Sequence, residues 1–413
     1  QRIKKNKILR VILAEVKSKQ DLFDLNVMGV WIGIDIYETY LREYLQPTIR
    51  LDNQEVQETI GRGIGLVIYW LDFFKTNKVT SVVVSHDCYL DQNVLCKVAY
   101  LNNVAVYLPD GSGATFAKEP HSSSSHFHNL HNLFLNLSSD DRAKGLELAK
   151  NQLEKRLGGD VGVDMSYSTA SAFQKPTKNR ILRESDKTKV LISSHCFYDN
   201  PHAYGGFLFI DFYEWLCSLG KISEKTDYDW YIKIHPDPLA GTIEIINDIV
   251  FKYPKITIIP HDSSHIQLAE EGIDFVLTGY GTVGLEYPVL GKQVINAGYN
   301  PRIAYDFNWH PRTVEEYEKY LLDLNSLHLD INLEDVYECY YMQYYYPIMD
   351  DLVFDSHRKL LLDLTPEQIC SSATFKYFLN EFSDIKHQKT INKWEEFIKS
   401  GKKHFFLNDP ENS

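Results

Sequence analysis

Two clusters of residues carry types and spacing that suit phosphate and hydroxyl chemistry. The first is the stretch at 276–296, VLTGYGTVGLEYPVLGKQVIN. It reads as a strand, a turn holding Gly279, Gly281 and Gly284, a short helix carrying Glu286, a stop at Gly291 and a second strand. Such a turn lets backbone approach a ligand closely and aims N–H groups and a helix start at one point, which suits a phosphate. The Thr282 hydroxyl would add a donor, and Glu286 stands about where a carboxylate reaches a ribose diol. Glycine turns also occur in ordinary strand-to-helix crossovers, so this stretch alone does not decide. The second cluster lies forty residues earlier. The apolar strand Trp230-Tyr-Ile-Lys-Ile234, with Lys233 inside it, runs directly into His235-Pro236-Asp237-Pro238. In an open α/β sheet, ligands sit beyond the carboxyl ends of the strands. If the two strands are parallel neighbours, His235 and the glycine turn share one edge, with Pro236 stiffening the exit.

Further candidates end other strands. Ser85-His86-Asp87 follows the β-branched run at 79–84, and Ser194-His195 through Asp199 follows the run KVLIS at 189–193. Asp35 stands just after Gly33, at the start of a helical pattern in which Ile36, Tyr40 and Leu41 repeat. Asp35 with Glu38 also fits an N-terminal capping box, a purely structural role. His121, His126, His128 and His131 cluster in and after a Gly/Ser-rich stretch at 110–125. Their spacing is irregular and no cysteine or carboxylate lies near, so a flexible loop is the better reading than a metal site.

The elements needed to position these groups are present. Of the 413 residues, 44% are hydrophobic and 24% charged, ordinary for a globular chain too long for one core. Residues 26–34, 79–84 and 104–108 read as strands, and 54–77 and 92–101 as helices, a β-α-β-α-β order typical of a parallel, doubly wound half. After a helix at 139–157 and a polar linker at 166–187, strands at 189–193, 230–234, 256–259 and 275–277 alternate with helices again. A segment at 333–346 carries six tyrosines and reads as a helix buried between halves. The implied units are residues 1–175, 176–335 and, as terminal helices packing back across both, 336–413. A net charge of −13 argues against a broad nucleic-acid footprint. Six scattered cysteines without a CxxC pair fit reduced thiols and a cytoplasmic setting. No run approaches a membrane span or a signal peptide.

The motifs KIHPDP and TGYGTVGLEYPVLGKQVINAG, with WIGIDIYETYLR, VVVSHDCYL and LISSHCFYDNPHAYGGFLFIDFYEWL, resemble GT-B glycosyltransferases of bacterial capsule and surface-polysaccharide biosynthesis, a group that includes the β-Kdo transferases. The resemblance touches about a third of the chain. It implies an α/β GT-B fold, two Rossmann-like doubly wound domains facing across a cleft and bridged by C-terminal helices. It further implies a nucleotide-sugar donor on the second domain, with a CMP-linked acidic sugar such as Kdo favoured. The acceptor would be an oligosaccharide or lipid-linked glycan, and neither a metal nor another cofactor nor a nucleic acid would take part. In that picture Lys233, His235, Gly279, Gly281, Thr282, Glu286 and His195 hold the donor. Asp35, His86 and Asp87 face the acceptor, and His235 donates to the departing phosphate. Peripheral attachment to the inner face of the plasma membrane would accompany such work. A UDP- or GDP-hexose donor, a teichoic-acid-type polyol-phosphate transfer, a nucleotide-sugar 2-epimerase and a non-catalytic sugar-binding protein stay open as alternatives.

Overall fold

A computed structural model describes residues 2–109, 113–117, 122–163, 171–173, 176–235, 238–346, 368 and 371–406. The chain begins with helices α1 (Arg2–Glu15) and α2 (Lys19–Phe23), the two-stranded β1 (Asn26–Val27) and β2 (Val30–Trp31), then α3 (Gly33–Tyr44) and α4 (Gln54–Thr76). Next come β3 (Ser81–Val83), α5 (Val94–Leu101), β4 (Ala105–Pro109), β5 (Gly113–Ala117), α6 (Leu130–Leu135) and α7 (Ser139–Leu157). The second half alternates β6 (Lys189–Ser193), α8 (Phe212–Ser223), β7 (Asp229–Lys233), α9 (Thr242–Lys252), β8 (Ile256–Ile259), α10 (His265–Glu270), β9 (Phe275–Thr278), α11 (Val283–Val289) and β10 (Gln293–Asn296). Helices α12 (Val314–Leu322), α13 (Leu333–Tyr344), α14 (Ser372–Glu381) and α15 (Asp384–Ser400) follow, then β11 (His404–Phe406).

The second half is the parallel sheet its alternation predicts. Its order is β10-β9-β6-β7-β8, every pair parallel. Successive side chains on a strand point to opposite faces, and the buried residues divide accordingly. Val190, Ile192, Trp230, Ile232, Phe275 and Leu277 pack with α8 and α9, including Trp215, Leu219 and Ile246. Leu191, Tyr231, Val276 and Val294 pack with α10 and α11, including Leu268 and Tyr287. The chain order reverses between β6 and β9, so the crevice beyond the carboxyl ends of those two strands is the topological switch point where such sheets take ligands.

The first half differs from the doubly wound domain expected of it. Among the described residues its sheet runs β11-β5-β4-β3, and only β3 and β4 are parallel. Two local causes explain the difference. Residues 26–31 do not extend as one strand but fold back on themselves, β1 on β2, through Met28 and Gly29, both at positive φ, with the Gly29 N–H donating to Asn26 Oδ1 at 2.9 Å. Positive φ at two successive turn residues is the geometry of a tight hairpin, and Met-Gly signals it far less clearly than Asn-Gly. Further on, β5 pairs antiparallel with β4 instead of crossing over, inside the stretch expected to be a loop. The bulk of this half is therefore a helical layer, α1, α3, α4 and α5, sharing a core of Ile12, Ile32, Tyr40, Ile60, Ile64, Leu90 and Val94. The end of the Gly/Ser-rich stretch enters a 3-10 helix, Ser122–Asn129; the rest of it, with His121, and part of the expected linker lie outside the described residues.

The halves are joined by more than sequence. Helix α13 buries Val336, Tyr340 and Met342 in a core shared with Leu130 and Leu153 of α6 and α7 and Leu285 of α11. Strand β11 returns to pair with β5. Tyr37 of α3 donates to Oδ2 of Asp211, the N-cap residue of α8, at 2.6 Å, where both groups are buried. Tyr37→Phe removes a hydrogen bond to a buried acid and should lower unfolding stability by about 1.5–3 kcal/mol. Urea titration checks this; an unchanged midpoint would show that the junction does not depend on the bond.

Candidate functional site

The switch point is built around His195. It leaves β6 beneath the turn at 278–282, its ring stacked on Phe212 at 4.6 Å and 4.9 Å from Tyr280. Burial pulls its pKa down to about 3, so the imidazole is neutral. The Gly279 N–H donates to His195 Nε2 at 3.0 Å, which makes Nε2 the acceptor and places the ring proton on Nδ1. Thr278 Oγ1 lies 2.9 Å from the same nitrogen and takes the Gly281 N–H, also at 2.9 Å, so its hydroxyl donates to His195. His195, Gly279 and Gly281 thus bind one another first. None of Gly279, Gly281 and Gly284 has positive φ among the described residues. Their lack of a side chain serves close approach instead: a Cβ on Gly281 would lie 2.8 Å from Thr278 Oγ1, and one on Gly284 would lie 2.9 Å from the Arg302 guanidinium. Arg302 is buried and donates to the Tyr280 and Gly281 carbonyls, each at 3.0 Å, which fixes the turn from behind.

Cationic groups gather beside that turn. Lys233 is buried at the end of β7, with Nζ donating to the His261 carbonyl at 2.7 Å. Burial lowers its pKa to about 8, against the opposing pull of Glu286 and Asp262. Glu286 is 2% exposed and is held by Arg156 of α7, through Nε at 2.8 Å and Nη2 at 2.6 Å. The same Nη2 reaches Thr282 Oγ1 at 3.3 Å. His265 donates or accepts at the Tyr287 hydroxyl, 2.7 Å away, and burial first, then Lys233, Arg156 and His235, depress its pKa strongly. His235 is exposed and close enough to His195 and His265 to act on both electrostatically. Pro236 and Asp237 lie outside the described residues. Three hydroxyls at this edge, those of Ser194, Ser263 and Ser264, are buried without a partner among the described residues, the kind of group that a ligand or solvent satisfies.

The first half contributes a separate cavity of about 190 Å³. Asp35, Glu38, His86, Asp87 and Asn93 line it from one side, and Asn200 and His202, beyond β6, from the other. Three residues singled out in the sequence, Asp35, His86 and Asp87, therefore meet. The expected capping role does not hold. Helix α3 starts at Gly33, its N-cap residue Ile32 makes no side-chain cap, and Asp35 points inward. Its carboxylate accepts from Lys97 Nζ and Asn93 Nδ2, each at 2.7 Å. Glu38, 3% exposed, accepts only a long bond from the His202 N–H at 3.2 Å. Burial, then the neighbouring Asp35, pushes its pKa well above the usual value of 4.5. Burial also raises Asp35, against Lys97 and Asn93. A proton-holding carboxyl beside a second carboxylate is an arrangement for moving a proton to or from a hydroxyl.

The two sites meet at Tyr280. This residue of the glycine turn donates from its hydroxyl to the Asn200 carbonyl at 2.8 Å, and its phenol feels the charges of Glu38, Asp199 and Tyr89. Glu38, Lys97, Arg156 and Arg302 were not marked as site residues by sequence reasoning. Glu38 carried a signal, since Asp35, Glu38, Thr39 and Arg42 repeat at i, i+3, i+4 and i+7 on one helix face. Arg156 carried none that set it apart from Lys155. The described histidines of the early cluster disperse: His131 bonds Glu338 at 2.8 Å, and His128 packs on Tyr299. Among the described residues no group of three or more ligating side chains is placed to hold a metal ion, and no helix is long and apolar enough to cross a membrane.

No family model and no curated protein matches the chain. Two solved structures from Thermosulfurimonas dismutans are similar to part of the chain. KpsC, beta Kdo 2,4 transferase, is 12% identical over 63% of this chain and 78% of that one, with a TM-score of 0.35. KpsC, beta Kdo 2,7 transferase, is 14% identical over 73% of this chain and 85% of that one, with a TM-score of 0.38. Likeness at that level leaves the chemistry to be argued from this chain's own residues.

Glu38 makes the first test. An acid whose pKa is raised by folding costs stability as pH climbs from its unfolded value, near 4.5, through its folded one. Glu38→Gln keeps the acceptor for His202 and cannot ionise. Its melting temperature should match the wild type near pH 4 and rise above it progressively toward pH 8. A difference that stays constant with pH would show that Glu38 is not held protonated.

Proposed function

We propose that the protein transfers a sugar from a nucleotide donor to a hydroxyl of a glycan acceptor. The observation that carries this reading is the seam at Tyr280: one residue of the turn at the sheet's switch point donates its hydroxyl to the carbonyl of Asn200, a wall residue of the cavity lined with carboxyl groups. A nucleotide's phosphates laid along the edge between β6 and β9 would then end beside acids able to manage the acceptor's proton.

The donor would lie over the turn, with its phosphates toward Lys233, His235 and the unpartnered hydroxyls of Ser194, Ser263 and Ser264. The amides of Thr282 and Val283 have no acceptor among the described residues and supply the backbone donors that Gly279 and Gly281 do not. Preorganised donors aimed at a departing phosphate lower the barrier to its leaving. Arg156, tied to Glu286 and Thr282, brings a further positive charge to that edge, and Glu286 keeps the ribose role only through whatever acceptor capacity Arg156 leaves it. His195 acts in this reading as the neutral anchor of the turn. On the other side of Tyr280 the acceptor hydroxyl enters the cavity, where Asp35 or Asp87 takes its proton and His86 orients it. These residues do the work without a metal. The resemblance of the motifs around His235 and Gly281 to capsule glycosyltransferases makes a CMP-linked acidic sugar such as Kdo the first donor to try, with a cytoplasmic site of action and a surface-polysaccharide acceptor.

Thermal shift with CMP, CDP, UDP, GDP and dTDP tests the donor side. A ligand at a hundred times its Kd adds about 2.7 kcal/mol to stability, and CMP should give the largest shift. Lys233→Met should abolish that shift. Asp35→Asn should keep it and lower transfer by about a hundredfold or more. If no nucleotide of the panel raises the melting temperature, the transferase reading falls.

A further inference from the structure

Beyond the carboxyl-lined cavity lies a second one, of about 270 Å³, with His86 and Cys88 on the walls of both. Resting on the transferase reading, the geometry points to this outer cavity as the site for the second sugar residue of the acceptor, so that the enzyme reads at least a disaccharide.

The two cavities follow one helix face. Asp35 and Glu38 line the inner one, and Thr39 and Arg42, the next positions on the same stripe of α3, line the outer. The deep end holds buried acids, whereas the Arg42 side chain is 60% exposed. A chain of linked rings entering from solvent would pass Arg42 first and present its terminal hydroxyl to the acids.

The outer walls suit a neutral pyranose better than an anion. Glu43 is neutralised by Arg62, which donates to both of its oxygens at 3.0 and 2.7 Å. Arg42 donates to the Tyr89 hydroxyl at 2.9 Å and lies 3.8 Å from Asp199, across the junction. Asp91 and the Gln92 amide nitrogen have no hydrogen-bond partner among the described residues. The free capacity is thus a carboxylate acceptor, an amide donor and the remaining guanidinium donors. That mixture of donors and acceptors matches vicinal hydroxyls, each of which gives and takes a hydrogen bond. A phosphate would meet the carboxylate of Asp91, while Arg42 and Arg62 are already engaged with Tyr89, Asp199 and Glu43.

Tyr89 is positioned at a cost. Its φ is +60°, an uncommon value for an aromatic residue, and it opens a π-helical turn over Tyr89–Asn93. Arg42 lies 5.0 Å from the ring centroid, and the Leu90 N–H donates to Thr39 Oγ1 at 2.9 Å. Strain held by such contacts places Asp91 and Gln92 beside the cavity and sends Asn93 back to Asp35.

The test measures binding by saturation-transfer NMR and titration calorimetry. The probes are glucose, galactose, rhamnose and N-acetylglucosamine, each as its methyl glycoside and as a disaccharide. At least one disaccharide should bind tenfold or more tighter than its monosaccharide. Arg42→Ala and Gln92→Ala should abolish that gain, and Arg42→Lys, which keeps the charge, should reduce it. All three should leave monosaccharide binding and the CMP-induced melting shift unchanged. Variants that weaken monosaccharide and disaccharide equally, or a panel in which no disaccharide exceeds its monosaccharide, would overturn the second-residue site. Loss of the CMP shift in the wild type would instead strike the donor reading alone.

Discussion

Burying two carboxyl groups on α3 is the constraint that the rest of the site answers. An isolated buried charge costs several kcal/mol, so each acid must be paired, hydrogen-bonded or protonated. Asp35 takes the first two routes, through Lys97 and Asn93 of the segment leading into α5. Glu38 has one weak donor from the second half and takes the third. The same need explains why α5 carries a buried lysine, which spreads its remaining charge over the Trp31 ring at 4.7 Å. Burial thus raises the proton affinity of two acids three residues apart on one helix, and only Asp35 has a cation and an amide beside it to oppose that.

The donor edge shows the converse economy. A neutral histidine and a buried arginine fasten the glycine turn from beneath and behind, and two further cations, Lys233 and Arg156, stand beside it. Arg156 belongs to α7, a helix the sequence assigns to the first half, yet its guanidinium is joined to Glu286 of α11. This edge is therefore not the property of one sheet. It depends on the shared core of α6, α7, α11 and α13 that holds Arg156 against the turn.

The second half was legible because its strands are buried on both faces and its helices lie between them at regular spacing. That pattern predicts a parallel sheet with His195, Lys233, His235 and the glycine turn beyond its carboxyl ends, although the strands of His235 and the turn, considered as neighbours, are separated by β6. The first half was not, because β1, β2 and β3 are two or three residues long and their pairing is decided by turns such as Met28-Gly29 rather than by a hydrophobic run. The site followed the same division. Asp35, His86 and Asp87 could be named because they end or begin recognisable elements. Glu38 was hidden by a capping pattern that α3 does not use, since Ile32 and Gly33 satisfy their N–H groups on the Leu25 carbonyl. Arg156 was hidden by distance, 130 residues from its partner. Sequence spacing reports neighbours along an element and says nothing of partners that only tertiary packing supplies.

The junction between the halves is polar where it matters and apolar elsewhere. Tyr37 bonds Asp211, Glu38 accepts from His202, Arg42 faces Asp199, and Lys19 pairs with Glu214, all between the α2–α3 region and residues 199–214. Each contact places a charged or hydroxyl group of one half against the chain that follows β6, the strand at the switch point. Any shift of the halves would therefore be felt at once by Glu38, whose proton affinity depends on its burial, and by Tyr280, whose hydroxyl is held by Asn200. A ligand lying over the turn and pressing on Tyr280 would thus act on the depth at which Glu38 is buried, and through it on the readiness of that carboxyl to give up or take a proton.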